Sequence, residues 1–248
     1  MNAGPAAPAW RLSPWPRDRR ILRAEWMDDP AADPGELRRS LAYLRQINSL
    51  LGYHRATLAH LARFSRGWRP GETIRVLDVA TGSGDLPRAL ARWSRRRGFD
   101  VRVAGIDLHA TTLREAEART PRDAFPHVSY LRADALRLPF SDGSFDYATT
   151  ALFLHHLDDE AAAAALREMA RVARRGVIAA DLLRHRRAYG WITLFTLLAS
   201  PMVKHDARAS VAQSFTKAEA LRLRDRAGVG FANYYRHFGH RFVLAGEK

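Results

Sequence analysis

Several side chains able to do chemistry stand where apolar runs give way to polar loops. The stretch VLDVATGSGDL, residues 76–86, leads from an apolar run through Asp78 into a loop carrying Gly82 and Gly84. Glycine lets such a loop turn tightly and lets a ligand approach the backbone with no Cβ in the way. Asp107 closes VRVAGID, where a carboxylate can accept hydrogen bonds from a pair of neighbouring hydroxyls. Asp134 follows a third apolar run, in RADALRLPF. His155, in FLHHL, and Asp181, ending VIAAD, make a different pair. An imidazole titrates near neutrality, so with a carboxylate to orient it His155 is a candidate general base. His156 is the adjacent choice, with its side chain expected to point elsewhere.

The elements that must position these residues follow from hydrophobic patterning. Residues 74–79, 101–106, 128–132, 145–150 and 177–180 read as strands. Helices are expected at 85–96, 111–119 and 158–173, the last capped by Asp158 or Asp159. TKAEALRLRDRA, 216–227, carries a capping box, with Thr216 as cap, Glu219 three residues on and Gly228 as the stop. Residues 229–235 and 241–245 read as a closing strand pair. Strands alternating with helices imply a doubly wound α/β fold with a parallel sheet. In such sheets ligands bind beyond the carboxyl ends of the strands, which is where the candidate residues fall. Residues 37–64 read as helical with a break at Gly52, making 19–69 an N-terminal helical cap. Residues 1–18 are expected to be flexible, and 70–248 to form the main domain with a lid insertion at 182–214.

The spacing Asp78, Ala80, Gly82, Gly84 resembles the acid-x-Gly-x-Gly-x-Gly signature of class I S-adenosylmethionine-dependent methyltransferases, with alanine at the first glycine. It does not match the G-x-G-x-x-G spacing of dinucleotide enzymes. Asp85 would also repel a diphosphate at the helix start, whereas it suits a ligand carrying an ammonium and a sulfonium. Asp107, Asp134 and the run FSDGSFDYATTALFLHHL resemble the later motifs of the same class, in the right order. The resemblance covers about residues 70–181. It implies a Rossmann-like, seven-stranded, mostly parallel sheet with the last strand antiparallel. It implies S-adenosylmethionine as cofactor, S-adenosylhomocysteine as product, and cofactor contacts at Asp78, Ala80, Thr81, Gly82, Gly84, Asp107, Leu108, Asp134, Ala135 and Thr150. Some natural-product O-methyltransferases resemble the arrangement of His155 and Asp181, an LHH motif followed by an acid at the next strand end. The N-terminal segment 22–52 is similar to methyltransferases of bacterial secondary metabolism that accompany type III polyketide synthases. VLDVATGSGD also resembles the ubiquinone/menaquinone C-methyltransferases.

These resemblances imply methyl transfer to a small apolar or aromatic acceptor. O-methylation of a phenolic or polyketide/lipid-like hydroxyl (or carboxyl) is the main expectation, and ring C-methylation of quinone type the alternative. The apolar stretch 188–203, AYGWITLFTLLASPMV, is expected to be a lid over the acceptor, a contact with a membrane surface, or plain core. Net charge is +14, which raises a nucleic-acid reading. Lysine occurs only at 204, 217 and 248, however, and the arginines are scattered without aromatic interleaving, so no nucleic-acid partner is expected. Residues 149–155, TTALFLH, lack the N/D-P-P-Y/F motif of amino-directed nucleic-acid methyltransferases. A non-catalytic binding protein is disfavoured by the intact acid and glycine set. The absence of cysteine excludes disulfides and zinc–thiolate sites and fits a reducing cytoplasm. His185, His205, His237 and His240 are expected on the surface or lid, without metal-ligand spacing. DLLRHRR, 181–187, reads as a solvated turn in which Arg184 could meet an acidic substrate.

Overall fold

The computed structural model describes residues 52–248 except Gly239, together with residues 20, 22, 25–28, 33, 35, 36, 39, 40, 42, 43, 46 and 47. The expected flexible segment 1–18 and much of the expected helix before Gly52 lie outside the described residues. Gly52, at φ 75°, stands before helix α1, Tyr53–Phe64.

The main domain alternates as expected: β1 (Thr73–Val79), α2 (Asp85–Arg97), β2 (Asp100–Asp107), α3 (Ala110–Ala118), β3 (Val128–Arg132), β4 (Phe145–Ala151), α4 (Asp159–Val172) and β5 (Ala173–Leu182). After β5 come α5 (Arg186–Phe195), α6 (Pro201–Gln213), α7 (Lys217–Arg226), β6 (Asn233–His237) and β7 (Arg241–Glu247). They build one seven-stranded sheet in the order β3-β2-β1-β4-β5-β7-β6. β1 pairs in parallel with both β2 and β4, and β7 runs antiparallel between β5 and β6. The chain leaves β1 toward β2 and β3, then returns to place β4 on the other side. The loop after β1 therefore sits at the point where strand order reverses.

Apolar residues on the two sheet faces make two cores. One packs Leu77, Val79, Ile106, Leu166 and Met169 under α4 and α7. The other packs Leu61, Val76, Leu86, Leu90 and Tyr147 under α1 and α2. The sixth strand begins four residues later than the pattern suggests. Gly228 takes φ 71°, Val229 N–H returns to Arg224, and Ala232 N–H returns to Val229, so 229–232 is a turn. Asp158 caps α4 through Ala161 N–H, and Thr216 and Glu219 form the expected capping box on α7.

Candidate active site

The loop after β1 is held from three sides. Asp78 is 2% exposed, and its two carboxylate oxygens accept the Thr81 hydroxyl at 2.7 Å and the Thr149 hydroxyl at 3.0 Å. Burial, opposed by those two hydroxyls, pushes its pKa up to about 7. Asp78 thus closes the loop from below rather than facing a ligand. Ala80 takes φ 56°, the left-handed conformation that favours glycine, and Gly82 takes φ 56° and Gly84 φ 73°. A Cβ on Gly84 would collide with the Tyr130 hydroxyl, so the glycine there is needed for packing as well as for φ. A Cβ on Gly82 would meet nothing within 4 Å, which leaves an open face above the loop.

Asp107 completes this cradle. One oxygen accepts Gly82 N–H at 2.9 Å and the other accepts His109 N–H at 3.0 Å. Its remaining lone pairs can accept two further hydroxyl groups. Leu108 beside it is 53% exposed and Leu136, two residues beyond Asp134, is 39% exposed. Asp134 is exposed and accepts Leu136 N–H at 2.9 Å, which fixes the turn that carries Ala135. Two exposed leucines near a carboxylate suit a flat, apolar ring bearing an amino group.

Two expectations about this region change. Thr150 is fully buried and its hydroxyl donates to Val79 carbonyl at 2.8 Å, because the β1–β4 register places the two residues side by side. Its side chain ties the strands together and does not face the cradle. Asp85 is paired with Arg88 at 2.5 Å and accepts the Ser83 hydroxyl. Its charge is thus matched by a neighbour, and the electrostatic argument against a diphosphate weakens. Neither Arg88 nor Tyr130, which brace the loop, carried a signal in the sequence.

His155 and Asp181 converge as expected. β4 and β5 are parallel neighbours, so the loop after one reaches the end of the other. His155 Nδ1 lies 2.6 Å from one Asp181 oxygen, and its backbone N–H donates to the other at 3.0 Å. Both side chains are buried. Burial works to lower the His155 pKa, but the Asp181 carboxylate outweighs it and the net shift is upward. Burial likewise works to raise the Asp181 pKa, and His155 with Leu182 N–H brings it below the ordinary carboxylate value. The pair can therefore hold a proton at the imidazole while the carboxylate stays ionised. Contrary to the sequence expectation, His156 does not point away but lies alongside His155. Its Nδ1 lies 3.9 Å from Glu25, and its ring lies 4.2 Å from that of His155.

Arg20 and Glu25–Met27, a strap not recognised in the sequence, pack against this loop and α6. The Arg20 guanidinium donates to the Leu157 carbonyl at 2.6 Å, pairs with Asp159 at 2.6 Å and lies over the Phe215 ring. Glu25 is 6% exposed and accepts Ser210 and Gln213 of α6. The backbone N–H groups of Trp26 and Met27 donate to Asp206.

The residues after β5 also depart from expectation. Arg184 is buried and paired with Glu219 at 2.5 Å, so it braces α7 rather than waiting for an acidic substrate. DLLRHRR is not a solvated turn: Leu183 and Arg184 are buried and bridged to Phe215, and His185 caps α5. His205 is 9% exposed, paired with Asp206 and stacked on Trp26, and His237 meets His60 at 2.9 Å. Within 188–203 the two halves differ. Met202 and Val203 are buried, whereas Trp191, Leu194, Phe195, Leu197 and Leu198 are all at least 48% exposed. No helix among the described residues is long and apolar enough to cross a membrane.

Comparison with known proteins bears on the fold and the domain. A "2-phytyl-1,4-naphtoquinone methyltransferase" of Trichormus variabilis is 37% identical over 137 residues, 55% of this chain and 56% of that protein. A "Demethylmenaquinone methyltransferase" of Roseiflexus castenholzii is 40% identical over 119 residues, 45% of this chain and 46% of that protein. The chain thus spans about half the length of these curated relatives. A SAM-dependent methyltransferase from Aquifex aeolicus shares the fold at a TM-score of 0.55 and 19% identity, covering 82% of this chain and 97% of its own. The magnesium protoporphyrin IX methyltransferase of Synechocystis, solved with bound S-adenosylhomocysteine, shares it at a TM-score of 0.55 and 16% identity, covering 89% of each chain. Residues 76–176 match the family described as "Methyltransferase domain". Residues 76–176 thus match a methyltransferase domain, within a chain that shares the Rossmann-like fold of solved S-adenosylmethionine-dependent methyltransferases.

Proposed function

We propose that this protein transfers the methyl group of S-adenosylmethionine to a ring carbon of a quinol- or phenol-type acceptor. The observation that carries the acceptor class is the likeness, at 37–40% identity, to two naphthoquinone-type methyltransferases. Those relatives move the reading from oxygen, the main expectation of the sequence, to the alternative of ring carbon. The chemistry of the site is compatible with both, because each begins by removing a proton from a hydroxyl.

The cofactor supplies an electrophilic methyl on a sulfonium. Gly82 would leave room for its methionine end, Asp107 would accept the ribose hydroxyls, and Asp134 with Leu108, Leu136 and Ala135 would receive the adenine. His155 accepts the proton of the acceptor hydroxyl. Asp181 holds the imidazole in the right tautomer and stabilises the imidazolium that forms. With the hydroxyl proton held at His155, the acceptor's electron pair would be shared with the neighbouring ring carbon, the atom this reading makes the nucleophile toward a bound sulfonium methyl. The exposed apolar face of α5 is suited to an acceptor with an alkyl or isoprenoid tail, or to the lipid surface that holds one.

The test is incubation with methyl-labelled S-adenosylmethionine and, separately, a demethylated naphthoquinol and a long-chain phenol. The products are mapped by carbon NMR. A label on a ring carbon supports the reading. A label on oxygen restores O-methylation. Absence of product from both, with the cofactor bound, overturns the acceptor class.

A further inference from the structure

Among the described residues one cluster gathers donor atoms of the kind that hold a transition-metal ion. A carboxylate oxygen of Glu25 and one ring nitrogen each of His155 and His156 all lie within 4.8 Å of one another. The three come from separate places: Glu25 from the strap before Trp26, and the histidines from the loop after β4. Nothing in the sequence links them.

Two of the donors are already aimed by a second partner. Asp181 occupies His155 Nδ1 at 2.6 Å, which leaves Nε2 to face an ion. Glu25 is fixed by the Ser210 hydroxyl at 2.5 Å and the Gln213 side-chain amide at 3.0 Å. A carboxylate behind a ligating imidazole, and hydrogen bonds behind a ligating carboxylate, are the outer-shell supports found at metal centres. Glu25 and His156 are 3.9 Å apart, too far for a hydrogen bond. Ligand bonds of about 2 Å would draw them only slightly closer. Among the described residues Arg20 is directed to Asp159 and to backbone carbonyls.

We propose that Glu25, His155 and His156 form a three-ligand site for a divalent transition-metal ion of the zinc class. Two imidazoles and one carboxylate favour zinc, iron, cobalt or nickel over magnesium and calcium, which prefer all-oxygen ligands. Three protein ligands leave at least one coordination position open. If His155 is the base of the preceding section, an ion here takes the nitrogen that would otherwise take the proton. Metal-loaded and base-competent His155 are then alternative states of one side chain.

The test is direct ion binding by the full chain, free of any affinity tag and stripped with a chelator. Zinc is titrated by calorimetry and cobalt by its visible absorption, with magnesium as the contrast. Wild type is expected to bind one equivalent of zinc or cobalt and no magnesium. Glu25→Gln and His156→Gln are each expected to weaken binding by about tenfold or more. His60→Gln, at the other close histidine pair, is expected to change nothing. Thermal unfolding without metal establishes that each variant is folded. Absence of zinc and cobalt binding overturns the site, as does affinity unchanged in both the Glu25 and His156 variants or lost in His60→Gln. Because the readout is the ion itself, failure to find a methyl acceptor leaves this result intact.

Discussion

At the scale of single residues, the buried His155–Asp181 pair and the loop after β1 carry the sharpest consequences. If His155 removes the acceptor proton, His155→Ala should lower kcat by about 100-fold or more in chelator-treated enzyme. The affinity for S-adenosylhomocysteine should stay unchanged, as calorimetry can check. A rate near that of wild type would mean that the ring only shapes the pocket. Ala80 occupies a left-handed conformation that costs a side-chain-bearing residue about 1–2 kcal/mol. Glycine adds about 0.5–1 kcal/mol of chain entropy to the unfolded state. Ala80→Gly should therefore leave the melting temperature no lower, whereas Gly84→Ala, driven into Tyr130, should lower it and weaken cofactor binding. Asp78 holds its proton more tightly folded than unfolded, with a pKa of about 7 against an ordinary 3.8. Its proton-linked stability is fully present below the unfolded value and lost as pH rises through about 7. Thermal unfolding of Asp78→Asn should thus depend less on pH between those limits than that of wild type.

Elements transmit these positions to the whole. The parallel pairing of β4 with β5 brings His155 to Asp181, and the pairing of β1 with β2 brings Gly82 to Asp107. α7 anchors the far side, where Thr216 and Glu219 satisfy the first-turn donors and Glu219 also receives Arg184. Thr216→Ala removes the cap and should cost about 1 kcal/mol in urea unfolding. Glu219→Ala, which strips the buried Arg184 of its carboxylate as well, should cost more. Equal losses would show that the Arg184 pair adds nothing beyond the cap.

Across the whole molecule, the exposed apolar face of 191–198 lies on the segment that directly follows β5. Leu198 is 96% exposed and Trp191 52% exposed, so polar replacements there remove little packing. Leu198→Glu with Trp191→Gln should preserve the melting temperature and cofactor affinity. It should raise KM for a long-tailed acceptor by about tenfold, on the scale of one or two buried apolar groups lost. Unchanged KM for the tailed acceptor would show that this face serves neither the substrate nor the surface that delivers it. The +14 charge enters here as well. Some of its arginines are paired within the fold, with Asp85, Asp159, Glu168 and Glu219 among others.

The sequence by itself determined what depends on neighbours along the chain. Apolar runs became the strands, Thr216 and Glu219 became the cap, and the spacing of Asp78, Gly82 and Gly84 set the loop, because φ preference, capping and local hydrophobicity act over a few residues. Even Asp107 and the His155–Asp181 pair were legible, since a parallel sheet puts successive strand ends at one edge. Tertiary structure alone decided the rest. Glu25 reaches the two histidines only because α6 holds the strap with Ser210, Gln213 and Asp206. Thr150 turned inward because of its register with Val79, and Arg184 found Glu219 because α7 folds back beside β5. Which face of 188–203 met solvent was likewise a question of what packed on it. Contacts between distant segments leave no period or spacing in a sequence, so only the folded chain reveals them.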